Sequence, residues 1–374
     1  MKTQKKIVVL GAGMVGKAII ADLCVQHKVI AIDRSRAALK DIAGATTIEA
    51  DLSREDAIKI AVRNADLVIS AVPGFMGYAT LRAVIEAGKN VVDISFFGQD
   101  PFSLQDLAEK NKVVAGVDCG VAPGMSNLIL GFENIQGEVE SFECLVGGLP
   151  KNRQWPLQYK APFSPIDVIE EYTRPARLME GGRIVTKPAL SDSAMIEFDG
   201  IGTLEAFNTD GLRTLLKTMG SVPNMREQTL RYPGHIDLIK ALQALGFFDK
   251  SPTKIGSKMM KPIDFTSGVL LRNWRLEPGE EEFTVMRITI VRKDESVVTY
   301  SLYDEYDHDS GITSMARVTG YAATAMANLI LRDEIQHRGI CPPEYIGTSH
   351  ECFKSIMDYL WERGVKYIRE EIPG

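Results

Sequence analysis

The chain has 374 residues, is 45% hydrophobic and 25% charged, and carries a formal net charge of −6. That length suffices for two domains, each with its own core, and an acidic balance without a basic block argues against a nucleic-acid partner. No apolar stretch approaches the roughly 20 residues that span a bilayer, and the N-terminal apolar segment is too short, and lacks a cleavage site, for a secretory signal.

The first third alternates short apolar strands with helical patterns. Strands are expected at Ile7–Leu10, Val29–Asp33, Thr46–Glu49, Leu67–Ser70, Asn90–Ile94 and Val113–Ala115, with helices over Met14–Gln26, Arg54–Val62, Tyr78–Ala87 and Ser103–Glu109. Repeated βα units of this kind predict an α/β fold with a doubly wound parallel sheet of the Rossmann type, over residues 1–126. From Asn127 longer strand patterns appear, at Val139–Gly147, Ala194–Glu197, Phe283–Arg292 and Ser296–Tyr303, with Arg292–Ser296 as a hairpin turn. They predict a second α+β domain over 127–312 with a mixed or antiparallel sheet. A long helix over Ile312–Leu331 and further helical stretches after Pro342-Pro343 would form a C-terminal part, 313–374, packing back on the first domain.

The most specific signal is Lys6-Ile-Val-Val-Leu-Gly-Ala-Gly-Met-Val-Gly-Lys17. Gly11 allows a tight turn, Gly13 lets the backbone approach a pyrophosphate, and Gly16 lets the helix pack on the strand. Ala12, Met14 and Val15 belong to the same cradle, whose helix N-terminus favours phosphate. Asp33 ends the second strand, where a carboxylate accepts from the adenosine ribose and repels a 2′-phosphate; NAD is therefore the expected cofactor, with Arg34 keeping NADP as the lesser alternative. Asp51 and Leu52 stand where they reach the adenine, although a helix cap shared with Ser53 explains them equally. Ala71, Val72 and Pro73 leave the fourth strand at its carboxyl edge, suited to the nicotinamide ribose.

Asp93 and Asp118 close later strands and are expected to face the same cleft, where a carboxylate takes a proton from an amine; capping of the following helix is the competing explanation. Cys119 reads as a packed residue. The five cysteines, Cys24, Cys119, Cys144, Cys341 and Cys352, form no Cys-x-x-Cys pair, so no disulfide framework or zinc site is suggested and a reducing cytoplasm is the expected location. Asp304–Asp309 reads as a solvated acidic turn and no metal is expected.

Together with the glycine fingerprint, Gly116-Val-Asp-Cys-Gly-Val-Ala-Pro-Gly124, Pro156–Pro165 and Thr229-Leu-Arg-Tyr-Pro-Gly-His235 resemble the saccharopine dehydrogenase superfamily, which includes lysine 6-dehydrogenase and carboxynorspermidine dehydrogenase. Ile169-Glu-Glu-Tyr-Thr-Arg-Pro-Ala176 is most similar to the lysine 6-dehydrogenase branch. The resemblance implies a small amino-acid substrate, a Rossmann domain, and a second domain that carries substrate and homodimer (or higher homo-oligomer) contacts. Saccharopine-reducing members carry an Arg where this chain has Thr209. An Arg there suits a substrate with additional carboxylates, so Thr209 favours NAD-dependent deamination of the lysine ε-amine, giving ammonia and a semialdehyde that cyclises. Reductive condensation of the saccharopine or carboxynorspermidine type with NADPH is the alternative, kept open by Arg213, and a non-catalytic NAD sensor is a further one. Asp93, Asp118 and His235 are the candidate proton acceptors. Arg231 and Arg213 are nominated for the substrate carboxylate, with Tyr159, Lys160 and Tyr232 beside them.

Overall fold

The computed structural model describes residues 4–374. Its first part runs β1 (Lys6–Leu10), α1 (Met14–Cys24), β2 (Lys28–Asp33), α2 (Arg36–Leu39), β3 (Thr46–Glu49), α3 (Glu55–Val62), β4 (Leu67–Ser70), α4 (Gly74–Glu86), β5 (Val91–Asp93), α5 (Gln105–Lys110) and β6 (Val114–Gly116). Then follow α6 (Met125–Gln136), β7 (Val139–Pro150), α7 (Pro165–Thr173), β8 (Ala176–Glu180), β9 (Arg183–Lys187), β10 (Ala194–Phe198), β11 (Gly202–Asn208), α8 (Leu215–Thr218), β12 (Asn224–Arg231) and α9 (His235–Ala244). The remainder is β13 (Thr253–Ile255), β14 (Lys258–Met260), α10 (Pro262–Trp274), β15 (Glu282–Arg292), β16 (Val297–Glu305), α11 (Ser314–Leu331), β17 (Gly339–Cys341), α12 (Pro343–Gly347), α13 (His350–Glu362) and β18 (Tyr367–Ile372).

The first sheet has seven parallel strands in the order β17-β6-β5-β4-β1-β2-β3. Its central strands are uniformly apolar because both faces are covered: Ile7 to Leu10 of β1 and Leu67 to Ile69 of β4 are fully buried. Strand order reverses between β1 and β4, so their carboxyl ends open the crevice in which such sheets bind ligands. The second sheet is mixed, in the order β10-β11-β12-β7-β15-β16-β18, with β12 parallel to β7 and the other pairs of that order antiparallel. In β16, buried and more exposed residues alternate, as expected of a sheet with one face on the core.

α11 lies on α1. It is buried nearly all round, which its Ala-rich, small-residue sequence allows, and Gly320 brings it close to Ala18 and Ile19 of α1. Asp22 of α1 accepts from Thr324 (2.6 Å), Tyr359 (2.7 Å) and Arg363 (2.7 Å), fixing α11 and α13 to the nucleotide-side layer. One expectation is corrected here: helices do not run to the C-terminus, because Tyr367–Ile372 forms β18 and pairs with β16. That segment, Tyr-Ile-Arg-Glu-Glu-Ile, carries no alternation and three charged residues in a row, so it offers no strand signal. No described helix is long and apolar enough to cross a membrane.

Candidate active site

The glycine turn forms as its sequence demands. Gly11 has φ +102° and a side chain there would strike the Ala71 carbonyl, while one at Gly16 would strike the Gly11 carbonyl. A side chain at Gly13 would meet nothing within 4 Å. Gly13 is the N-cap of α1 and supplies no side-chain cap, so the free N–H groups of the first turn face open space. This cradle fits a pyrophosphate. Ala71 lies against Gly11 and is partly buried, as is Pro73, whereas the side chains of Ala12, Leu52 and Val72 are buried in the core. Met14 and Val15 are partly exposed at the turn. Asp51 accepts from its own Ser53 N–H (3.0 Å) in an exposed turn, and the N-cap of α3 is Arg54; neither Asp51 nor Ser53 caps that helix.

Asp33 stands at the expected strand end, but both its oxygens accept main-chain N–H groups, Oδ2 from Ala12 (2.8 Å) and Oδ1 from Ser35 (2.8 Å). The carboxylate thus braces the glycine turn. Arg34 and Arg36 stand exposed on either side of Ser35.

At the carboxyl ends of β4, β5 and β6 a buried polar cluster gathers. Asp93 is fully buried, with Oδ2 accepting from Ser95 N (3.0 Å) and Oδ1 from Ser95 Oγ (3.0 Å). Burial raises its carboxyl to about 7, within reach of neutral-pH chemistry. Asp118 and Arg213 meet across the two layers, Arg213 Nε donating to Asp118 Oδ1 at 2.6 Å, and Arg213 Nη1 donating to the Phe97 carbonyl. Both residues adopt left-handed backbone, φ +54° and +45°, a strained choice for residues with side chains and one that clusters at functional sites. Burial raises the Asp118 carboxyl, with the Arg213 charge opposing. One atom of each partner is left over: Asp118 Oδ2 and Arg213 Nη2 are buried with no hydrogen-bond partner. A buried acceptor and a buried donor without partners, on two side chains already joined by an ion pair, are polar groups whose lack of a partner calls for an explanation, a ligand being one.

Thr209 is buried beside this cluster, its hydroxyl paired with that of Thr229 (3.0 Å). Asp210 takes a bidentate pair from Arg177 (2.8 and 2.9 Å). Glu227, buried on β12, fills the space that a side chain at Gly211 would occupy. Its carboxyl is raised to about 8, first by burial and then by Glu171, Asp210 and Asp118. Sequence reading missed Glu227, Glu171 and Arg174, although all three lie in or beside motifs already quoted.

The remaining nominated residues form a separate group. Arg231 is buried and its guanidinium is already occupied, donating to Tyr172 Oη (3.0 Å), Tyr159 Oη (3.3 Å), the Leu230 carbonyl (2.9 Å) and Glu171 (2.7 Å). These partners leave little of the guanidinium free for the substrate carboxylate for which Arg231 was nominated. His235 Nδ1 faces the Leu157 carbonyl at 2.7 Å and Nε2 faces Tyr172 Oη at 2.9 Å. Nδ1 therefore carries the proton and Nε2 accepts, by assignment from partners. Burial and Arg231 lower its pKa to about 3, so it stays neutral and its lone pair is engaged; it is not a free base in the cleft. Lys160 binds the Arg275 carbonyl (3.0 Å) and Glu280 (3.4 Å), and Tyr232 donates to the Pro150 carbonyl (2.9 Å). Tyr159, Lys160 and Trp274 line a groove of about 420 Å³ with Leu157, Leu242 and Leu270. Asp304 and Asp307 both pair with Arg317 (3.3 Å), and the expected solvated acidic turn is corrected at Asp304, which is buried on β16.

Comparison with known proteins follows this geometry. The saccharopine dehydrogenase C-terminal domain model matches residues 120–365, and the saccharopine dehydrogenase NADP binding domain model matches residues 7–115. Saccharopine dehydrogenase (NADP(+), L-glutamate-forming) of Schizosaccharomyces pombe is 25% identical over 274 residues, 70% of this chain and 61% of its own length. Mitochondrial alpha-aminoadipic semialdehyde synthase of Rattus norvegicus is 25% identical over 98% of this chain and 48% of its own length. The chain therefore spans about half to three fifths of these relatives. Among solved structures, apo saccharopine dehydrogenase (L-Glu forming) from Saccharomyces cerevisiae shares the fold with a TM-score of 0.77 at 20% identity, covering 98% of this chain and 100% of that one.

These matches overturn the NAD expectation: the N-terminal model is an NADP-binding domain, and the fungal relative is named for NADP(+). Asp33 already accepts one main-chain N–H on each oxygen, and Arg34 and Arg36 stand exposed beside it, cations of the kind that accommodate a 2′-phosphate. Replacing both arginines by alanine is expected to raise the Kd for NADPH by roughly 10- to 100-fold and to leave that for NADH nearly unchanged. Fluorescence titration checks this, and equal losses for both nucleotides would count against the assignment.

Proposed function

The chain belongs to the saccharopine dehydrogenase family, and from that premise we propose that it is an NADP-linked oxidoreductase acting at a carbon–nitrogen bond of an amino-acid amine, with saccharopine as its substrate. In the oxidative direction saccharopine, water and NADP(+) yield L-glutamate, 2-aminoadipate 6-semialdehyde, NADPH and a proton. The observation that carries this reading is the Asp118–Arg213 pair, buried at the strand ends beside the nucleotide cradle and holding one free acceptor and one free donor.

NADP, when bound, supplies the hydride acceptor. The cradle from Gly11 to Gly16 would hold its pyrophosphate, and the loop from Ala71 to Pro73, at the carboxyl end of β4 next to β5, would be available to its nicotinamide ribose. The substrate nitrogen needs a free lone pair before its neighbouring carbon gives up hydride, so a base must take its proton first; Asp93, held near 7, is suited to that. Asp118 Oδ2 lies free to hold the N–H, and Arg213 Nη2 to hold an adjacent carboxylate. Water then adds to the imine carbon, and the same acid–base group returns a proton as the carbon–nitrogen bond breaks.

Thr209 favours a second reading, oxidative deamination of lysine, because no cation at that position meets additional carboxylates. The two are separated by assaying NADPH absorbance with NADP and either saccharopine or L-lysine, scoring glutamate and ammonia in parallel. NADPH and glutamate rising in equal amounts with saccharopine is the expected result. Ammonia from lysine, without glutamate from saccharopine, would replace it by the second reading.

A further inference from the structure

Phe96, in the loop after β5, lies between two arginines from different elements. The guanidinium carbon of Arg174, at the end of α7, is 4.6 Å from its ring centroid, and that of Arg213, just before α8, is 5.2 Å away. Arg213 also lies 5.0 Å from the ring of Phe97. Stacking of this kind fixes a guanidinium while leaving its N–H groups unused. Both arginines retain such a group: Arg174 Nη1 and Arg213 Nη2 are buried without a partner. Arg174 otherwise reaches only Glu170, at a distant 3.5 Å. A buried N–H without an acceptor is costly, and two from one aromatic stack are rarer still among satisfied interiors. Gly98 lies alongside the guanidinium of Arg174, where an added Cβ would come within 3.7 Å of Nη2 in ordinary van der Waals contact.

We infer that Arg174 and Arg213, stacked about Phe96, bind the substrate carboxylate that is α to the reacting nitrogen, while Asp118 Oδ2 holds that nitrogen. Two planar guanidinium groups match a carboxylate far better than a point charge would. The arrangement places a cation where Thr209 supplies none. It rests on the saccharopine reading, because saccharopine carries a carboxylate next to its secondary amine and lysine has none next to its ε-amine. Arg174 lies within the quoted Ile169–Ala176 motif but was not nominated there as a binding residue.

The test uses the full chain loaded with NADPH and titrated calorimetrically with saccharopine, a combination that binds without turnover. Arg174→Met is expected to weaken saccharopine roughly 10- to 100-fold, Arg174→Lys to recover part of that loss, and NADPH affinity to stay unchanged in both. Arg174→Gln replaces the Met variant should the latter fail to bind NADPH. An unchanged saccharopine Kd in Arg174→Met and Arg174→Gln would overturn the inference even if saccharopine is turned over. Conversely, a wild type that binds saccharopine through Arg174 yet never oxidises it would retain the inference and sink the proposed reaction. Absence of binding by the wild type would remove both.

Discussion

Replacing Arg213 by methionine is expected to cost about 3–5 kcal/mol of stability and nearly all turnover. Its side chain is 3% exposed and that of Asp118 1% exposed, so the substitution strands a carboxylate in the interior with one oxygen already lacking a partner. The same substitution frees the Phe97 carbonyl that Arg213 holds, loosening the loop that carries Asp93's partner Ser95. Stability and catalysis separate in the double variant Arg213→Met, Asp118→Leu. Replacing a buried ion pair by apolar groups of similar size is often near neutral, so the denaturant midpoint should recover most of its loss while turnover stays abolished. A single Arg213→Met variant within about 1 kcal/mol of wild type would mean that the pair is not buried as described.

The second large effect concerns Asp93. Its carboxyl sits near 7 because burial penalises the charged form. Oxidation needs it deprotonated, so kcat/KM for amine oxidation should rise with pH through about 7, and the reductive direction should show the opposite limb. Asp93→Asn should remove that limb and lower turnover about 10²- to 10⁴-fold. Stability carries the opposite sign. Between its ordinary range near 4 and the raised value near 7 the folded protein binds the extra proton, so the favourable term is fully present below about pH 4. It is lost as pH rises through 7, by an amount on the order of a few kcal/mol. Asp93→Asn should therefore be less active yet more stable than wild type at pH 8. Urea midpoints at pH 5 and pH 8 check this, and equal pH dependence in both proteins would contradict it.

Much of the nucleotide side was legible because its chemistry is local. A glycine turn between strand and helix fixes backbone shape within a few residues, and short apolar strands buried on both faces announce a parallel sheet. The second layer was less readable. Arg231 and His235 sit in a specific motif, and a motif signals that residues matter without saying whether they bind substrate or hold one another. Here Arg231 joins Tyr159, Tyr172 and Glu171, contacts that span up to 72 residues of sequence. Asp33 misled because a strand-end carboxylate was weighed above its neighbours, whereas two exposed arginines, Arg34 and Arg36, stand on either side of Ser35 right after it. The Arg174–Phe96–Arg213 stack was invisible, since its three members come from segments that meet only after both layers have folded. β18 was missed because it is an edge strand whose three consecutive charged residues, tolerated there, show no alternation.

The most direct test of the central claim is a crystal structure of the protein with NADPH and saccharopine bound together. The expected result is substrate at the carboxyl ends of β4, β5 and β6, with its secondary amine at Asp118 and its adjacent carboxylate on Arg213 and Arg174. Substrate seated instead in the groove beside Tyr159, Lys160 and Trp274, with the Asp118–Arg213 pair untouched, would contradict it.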